Sequence, residues 1–355
     1  MDTKQVKRLN YIGSKYKLLE WIDQTIRTHT GWTSYENRVI ADIFAGTGIV
    51  SYYFRTHGAT TISNDAELYS YYITTALACC VYTERCRKVI DKLQKYVAQE
   101  KHKEFVGFVT KNYSPYNGCD RMFFTVENGR RIDFLRHSIE KYYTKSKITK
   151  DEHTFLIASL LCSVDSVSNV PAVYGCYLKN FKKTALDDLV LRPIHEDDTP
   201  ISPQSNTMNK NVIDDTFKVE GADLVYIDPP YNERQYSKNY FPLNVIAMTP
   251  DEQSMLQLKG KTGIPENSFV SPFCQVRQVQ QAFRRLFTDQ LDTKWALLSY
   301  NSESLISKDD MVKLITECKG KVVAIEEMDY KRFKSFQYND DKKIQEYLFV
   351  VQMRE

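Results

Sequence analysis

The amino-acid sequence predicts a doubly wound α/β sheet interrupted by a mostly helical insert. Two short apolar runs carry the first half of that expectation. Residues 38–44 (Arg-Val-Ile-Ala-Asp-Ile-Phe) and 223–227 (Asp-Leu-Val-Tyr-Ile) are each followed by a turn sequence, as strands buried in a parallel sheet are. The second half comes from the middle of the chain. There, residues 68–96 and 132–168 keep helix-compatible spacing with few strand-like runs.

Taken in order, Leu9-Asn-Tyr11-Ile-Gly13-Ser-Lys15 precedes the first amphipathic helix, with Ser14 in capping position. Residues 38–44 form the first strand, 48–55 a helix and 59–63 the second strand, with an acidic residue just beyond it. After the helical middle, residues 197–211 are polar and hold two prolines, which reads as a connector back into the sheet. Residues 223–227 form a strand that Asp228-Pro-Pro ends sharply. Residues 295–299, 321–325 and 346–351 supply three further strands, with helical spacing between the first two. Such alternation is the pattern of a doubly wound sheet. The expected division is an α/β domain over residues 1–80 and 205–355 and an insert over 81–204.

Composition narrows the function classes. In 355 residues, 42% are hydrophobic and 26% charged, which supports a large core and excludes wholesale disorder, collagen-like repeats and a disulfide scaffold. Apolar stretches such as residues 155–164 are shorter than the roughly 18 residues a membrane-spanning helix needs. The charged start Met1-Asp-Thr-Lys-Gln has no apolar core behind it, so a soluble cytoplasmic protein without a membrane partner is expected. Eight cysteines form no C-x-x-C pair, and the six histidines lie far from any such pattern; reduced thiols and no metal are expected. Net charge is +3, yet residues 81–183 hold 19 Lys and Arg against 11 Asp and Glu, a local +8 that leaves −5 elsewhere. A basic insert suits a polyanion, although a solvated helical surface would carry the same charge.

Two motifs carry chemistry. Asp42-Ile-Phe44-Ala-Gly46-Thr-Gly48 closes the first strand, and two glycines at that spacing permit a tight turn and close backbone approach to a ligand. Asn64-Asp65 ends the next strand, where an acid can accept hydrogen bonds from ribose hydroxyls. Ser51 stands where a nicotinamide-binding loop would have its third glycine, which speaks against that cofactor. The second motif is Asp228-Pro229-Pro230-Tyr231. It brings together a carboxylate, a proline carbonyl and an aromatic face, the set needed to hold and stack a flipped base by its amino group. Gly260-Lys-Thr262 is no phosphate loop, because Met255 stands where the first glycine would be required. Within the insert, Tyr177-Leu-Lys179-Asn-Phe-Lys182-Lys183 mixes cations with aromatics, as a surface for phosphates and bases would.

In type and order these residues resemble the Dam-like N(6)-adenine-specific DNA methyltransferases of restriction-modification type. Asn10-Tyr-Ile-Gly-Ser-Lys15 is similar to their N-terminal cofactor motif, Asp42 to Gly48 to the cofactor loop, Asn64-Asp-Ala-Glu67 to the ribose acid, and Asp228 to Tyr231 to the catalytic motif. Ser299-Tyr-Asn301 and Tyr330-Lys-Arg-Phe333 are similar to later, looser motifs. The resemblance implies a Rossmann-like methyltransferase sheet that uses S-adenosyl-L-methionine (AdoMet). It also implies an inserted target-recognition domain and methyl transfer to the N6 amino group of adenine in double-stranded DNA. Tyr11, Gly13, Lys15, Asp42, Phe44, Gly46, Gly48, Asp65 and Asp228 would meet the cofactor. Asn211 would replace the acid often found near its adenine. Lys179, Lys182, Lys183 and Arg234 would contact DNA. The resemblance leaves room for a cognate restriction endonuclease as functional partner in a bacterial cytoplasm. N(4)-cytosine methylation, an RNA substrate and a non-catalytic DNA-binding relative remain alternatives at this point.

Overall fold

A computed structural model describes residues 6–331 and 343–353. They form two compact units, one built on a sheet and one on helices. The sheet unit takes Gly13–Ala66, Pro200–Gln235 and the chain from Phe269 onward. Its strands are β1 (Val39–Asp42), β2 (Thr60–Asn64), β3 (Asn206–Met208), β4 (Val219–Ile227), β7 (Leu291–Asn301), β8 (Lys321–Lys331) and β9 (Lys343–Gln352); a two-residue ribbon, β5 (Leu258–Lys259) with β6 (Ile264–Pro265), lies in the other unit. The order across the sheet is β3-β2-β1-β4-β7-β9-β8. The first five run parallel, while β9 is antiparallel to both its neighbours.

The two apolar runs occupy the middle of this order. β1 pairs with β2 on one side and β4 on the other, and β4 pairs in turn with β7. One face of these strands is apolar: Ala41, Ile43, Val225, Ile227, Leu298, Tyr300, Tyr347 and Phe349 are buried with Phe283, Leu286, Met311 and Leu314. The last four come from α11 (Val279–Arg285), the turn behind it and α12 (Lys308–Glu317). Because side chains alternate along a strand, Asp42, Tyr226, Ser299, Asn301 and Glu346 point to the opposite face. Two further helices, α1 (Leu19–Thr30) and α2 (Ile49–Thr56), complete the unit.

Two expectations are corrected here. Residues 197–211 are not only a connector, because Asn206, Thr207 and Met208 pair in parallel with Ile62, Ser63 and Asn64 as an edge strand. A short, polar edge strand is held by backbone hydrogen bonds and has no apolar run to announce it. Ser14 does occupy the N-cap position, but its side chain makes no capping hydrogen bond, and the helix begins with a single 3₁₀ turn over Lys15–Leu18.

The helical unit takes the residues up to Ile12, Glu67–Thr199 and Tyr236–Ser268. The helix-compatible stretch 68–96 is α3 (Leu68–Cys79) and α4 (Glu84–Ala98), parted where the Thr83 hydroxyl accepts the Cys86 amide. The rest is α5 (Phe108–Tyr113), α6 (Val126–Thr144), α7 (Lys150–Asp165), α8 (Tyr236–Asn239), α9 (Phe241–Ala247) and α10 (Pro250–Ser254). A Thr149–Glu152 capping box starts α7, which is buried almost throughout and packs against α3 and α6. The division therefore differs from boundaries at residues 80 and 205. α3 carries buried Tyr69, Ile73 and Leu77 onto α7 and α9, so it belongs with the helices. Among the described residues no helix is long and apolar enough to cross a membrane.

Candidate active site

The carboxyl ends of β1, β2 and β4 meet at the glycine turn. The Ile43 amide donates to the Tyr226 carbonyl and the Ala45 amide to the Asn64 carbonyl, which ties the chain leaving β1 to both neighbours. Gly46 and Gly48 then adopt left-handed φ values of 53° and 69°, a conformation that favours glycine. The Gly46 amide donates to the Asp65 carboxylate at 2.8 Å, so the predicted acid also holds the turn that it faces.

Asp42 lies behind this turn and is 1% exposed. One oxygen accepts the Ser51 amide at 3.2 Å and the Ser51 hydroxyl at 2.7 Å, while the other is buried with no hydrogen-bond partner among the described residues. Burial pushes the carboxyl up to about 7 against the Ser51 hydrogen bonds, and the charges of Asp228 and Asp65 add to the rise. Ser51 is therefore part of the site. Sequence reasoning used it only as a missing glycine, although its place one turn into the helix behind the loop was the available signal.

At the end of β4, Asp228 is 17% exposed and its Oδ1 lies 2.8 Å from the Lys15 ammonium. Lys15 also donates to the Gly13 carbonyl at 3.0 Å and is itself 6% exposed. Burial raises the Asp228 carboxyl against the opposing effects of Lys15 and a Ser299 hydrogen bond. Burial alone would lower the Lys15 ammonium, but the carboxylates of Asp228 and Glu346 more than offset it, so its pKa lies above the usual value. The outcome is a carboxyl paired with an ammonium and more basic than an exposed one. Glu346, on β9, belongs to this cluster and was not among the expected site residues.

The residues after Asp228 are anchored by burial and by a backbone hydrogen bond. Pro229 is buried, and the Tyr231 carbonyl accepts the Leu305 amide at 3.0 Å. The Tyr231 ring is partly buried against the core, and burial raises its hydroxyl. Further along, the Gln235 side chain accepts the Ser271 amide and donates to the Ser271 carbonyl, while Arg234 is exposed. Phe44 packs edge-on against Phe273, with ring centroids 5.1 Å apart. Asn211 sits in the turn after β3, where its side-chain oxygen accepts the Ile213 amide at 3.4 Å.

The remaining expected residues lie in the helical unit or outside the described residues. Tyr11 stacks on Tyr240 at 4.8 Å, within a cluster that includes Tyr69 and Tyr236. Lys179 and Lys183 are exposed, whereas Lys182 is half-buried and donates to the Val170 carbonyl at 3.1 Å. Arg332 and Phe333 of the last motif lie outside the described residues. Among the described residues no cluster of three or more His, Cys, Asp or Glu could hold a metal ion. Residues 260–262 form the turn between β5 and β6, with Gly260 at φ 68°, and no helix follows directly as a phosphate loop would need.

A parallel sheet that presents a glycine turn and an acid–Pro–Pro corner at its carboxyl edge defines a Rossmann-like, ligand-binding α/β enzyme. Over residues 11–314 the chain matches the D12 class N6 adenine-specific DNA methyltransferases, and it belongs to that family. It is 39% identical to the Type II methyltransferase M.CviAII of Paramecium bursaria Chlorella virus 1, over 98% of this chain and 99% of that protein. It is 36% identical to the Type II methyltransferase M.NlaIII of Neisseria lactamica, over 92% of this chain and 93% of that one. It is also 34% identical to the Type II methyltransferase M.FokI of Planomicrobium okeanokoites, with 97% of this chain covering 52% of the larger relative.

Proposed function

We propose that this chain transfers a methyl group from AdoMet to the N6 amino group of adenine in double-stranded DNA, as the modification partner of a restriction endonuclease. One observation carries this reading: a largely buried Asp228, paired with Lys15 at 2.8 Å, begins the Pro-Pro-Tyr corner at the end of a central strand. Asp228 and the Pro229 carbonyl accept the two amino hydrogens of the target base, and Pro230 fixes the chain so that Tyr231 can stack on the ring. Accepting both hydrogens favours a tetrahedral nitrogen whose lone pair faces the methyl group, so the residues act by positioning and electrostatics.

The edge also suits the cofactor. AdoMet supplies an electrophilic methyl group on a sulfonium. Asp42, with its unpartnered buried oxygen, can accept from the ammonium of the methionine end. Lys15, which the resemblance assigns to that same end, acts first on Asp228. Asp65 accepts from the ribose, Gly13, Gly46 and Gly48 allow close approach, and Phe44 supplies an apolar wall. Asn211 is the counterpart of the acid that the resemblance puts near the cofactor adenine. The test is transfer from isotopically labelled AdoMet to duplex DNA, followed by mass spectrometry of the nucleosides. N6-methyladenine is the expected product; N4-methylcytosine, labelled RNA or no transfer would overturn the reading.

Single residues can be tested in turn. Asp65→Ala should weaken AdoMet binding by about 1.5–3 kcal/mol, the usual loss for hydrogen bonds to a charged group. Asp65→Asn should lose less, because an amide oxygen can still hold the Gly46 amide. An unchanged dissociation constant by calorimetry for Asp65→Ala would remove it from the site. In the helical unit, the exposed Lys179 and Lys183 are cations offered to DNA phosphates; taken by itself, the sheet unit offers the exposed Arg234. Replacing both lysines with Ala should reduce the salt slope of DNA binding by about 0.9 for each phosphate that these side chains neutralise, and leave the preferred site unchanged. Lys182→Ala should act on stability instead, since its ammonium is engaged by Val170 next to Asp165. A salt slope that the double variant leaves unchanged would mean that Lys179 and Lys183 face solvent only.

A further inference from the structure

We propose that Glu346 is the second seat of the Lys15 ammonium, a positioning residue that takes Lys15 from Asp228 when the target amine arrives. The inference deepens the proposed function and rests on it. Its geometric basis is the ladder at the carboxyl edge. β7 pairs with β4 at Leu298↔Ile227 and with β9 at Asn301↔Glu346. Alternation then puts Ser299, Asn301 and Glu346 on one face, away from the apolar core that holds Leu298, Tyr300 and Tyr347. Glu346 thus stands one strand beyond Ser299, whose hydroxyl reaches Asp228. Asn301 uses its side-chain oxygen on the Glu303 amide and the Ser304 hydroxyl, and its buried amide group faces Glu346 across the ladder, where it lowers that carboxyl against the rise that burial causes. The charges agree with this placement: Lys15 feels both Asp228 and Glu346, and each carboxylate feels Lys15.

The chemistry requires such a seat. Asp228 cannot give its full acceptor strength to a base while Lys15 occupies Oδ1 at 2.8 Å. As the methyl group arrives, the amine nitrogen becomes cationic, and an ammonium held on Asp228 would oppose it. Two carboxylates sharing one ammonium keep a net negative charge facing that nitrogen. Among the described residues, the other titratable groups whose charges act on the cluster include Asp42, Asp65, Tyr226, Tyr231 and Glu303, and on the elements packed against β9 the His29–Glu326 pair is satisfied within itself. None of them supplies a second cation.

The test compares the pH dependence of kcat for the wild-type chain, E346Q, K15M and the double variant K15M/E346Q on duplex DNA with AdoMet. E346Q should lower kcat by up to about 100-fold, the lower end of the loss for a group that touches the transition state directly, because Glu346 acts through Lys15, with a much smaller change in KM for AdoMet. Removing a neighbouring negative charge should also move both limbs of the profile to lower pH. A merely structural role would lower kcat without moving the limbs. K15M leaves two carboxylates together and should move the acid limb up, and adding E346Q should move it back. If E346Q alone does not fold, the comparison of K15M with K15M/E346Q still decides. Wild-type kcat and limbs in E346Q, or an acid limb in K15M/E346Q no lower than in K15M, would overturn the role of Glu346. A wild-type chain that transfers no methyl to adenine would overturn the underlying reading and this inference with it.

Discussion

Asp228→Ala should reduce methyl transfer to below a few per cent of the wild-type rate while sparing AdoMet binding. The side chain removed is the proposed acceptor for the target amine, and deleting one such group from a buried site typically costs a hundredfold or more in turnover. Ala also leaves Lys15 buried beside Glu346 without its nearest ion partner, at 2.8 Å in the intact site. Asp228→Asn separates the two effects. An amide keeps one acceptor oxygen but lacks the charge, so geometry would survive and electrostatic support would not. Single-turnover methylation and calorimetric AdoMet binding, measured on the same preparations, give the answer. Turnover well above a few per cent in the Ala variant would mean that the reacting amine is held elsewhere.

Asp42→Asn should stabilise the protein at pH 8 and do little at pH 4. Burial pushes the Asp42 carboxyl up to about 7 from an ordinary value of 3.8. Between those values the folded chain keeps a proton that the unfolded chain has released. This contribution to stability is therefore complete below about pH 4, falls as pH rises to about 7 and is then lost. Three units at 1.36 kcal/mol each bring the loss to roughly 4 kcal/mol as an upper bound. Asparagine does not titrate, and its oxygen can still accept from the Ser51 amide and hydroxyl. Urea unfolding of both proteins at pH 5 and pH 8 tests this, because the gap between their midpoints must widen with pH. Asp228 and Glu346 are also raised and are present in both proteins, so they cancel apart from the repulsion between Asp42 and Asp228, whose loss in the variant widens the gap in the same direction. Parallel curves would show that Asp42 is already ionised at pH 5.

Much of the sheet was legible in the sequence, because buried parallel strands are local signals. Residues 38–44 and 223–227 mark β1 and β4 by apolar runs that end in turns, and Gly46, Gly48 and the prolines after Asp228 mark where the chain must leave the sheet. Those residue types permit few other conformations, so the carboxyl edge and its two motifs needed no tertiary information. The helical middle was legible as helices, through its spacing, but not as a unit with α3 and residues 236–268 added.

Only the tertiary structure decided which side chains share a site. β3 pairs through backbone groups that every residue possesses, so a polar edge strand has no signature of its own. The insertion of β9 between β7 and β8 is likewise a matter of ladder pairing, and it brings Glu346 level with Asn301 at the active edge. Nothing near Lys15 in the sequence predicts that its ammonium settles on Asp228, since both are buried and each offsets the other's desolvation only once the chain is folded. The sequence determined the strands, the turns and the chemical groups at the sheet's edge, because periodicity and backbone restriction act locally. Charge pairing and strand order act through space, and they depend on how distant segments pack.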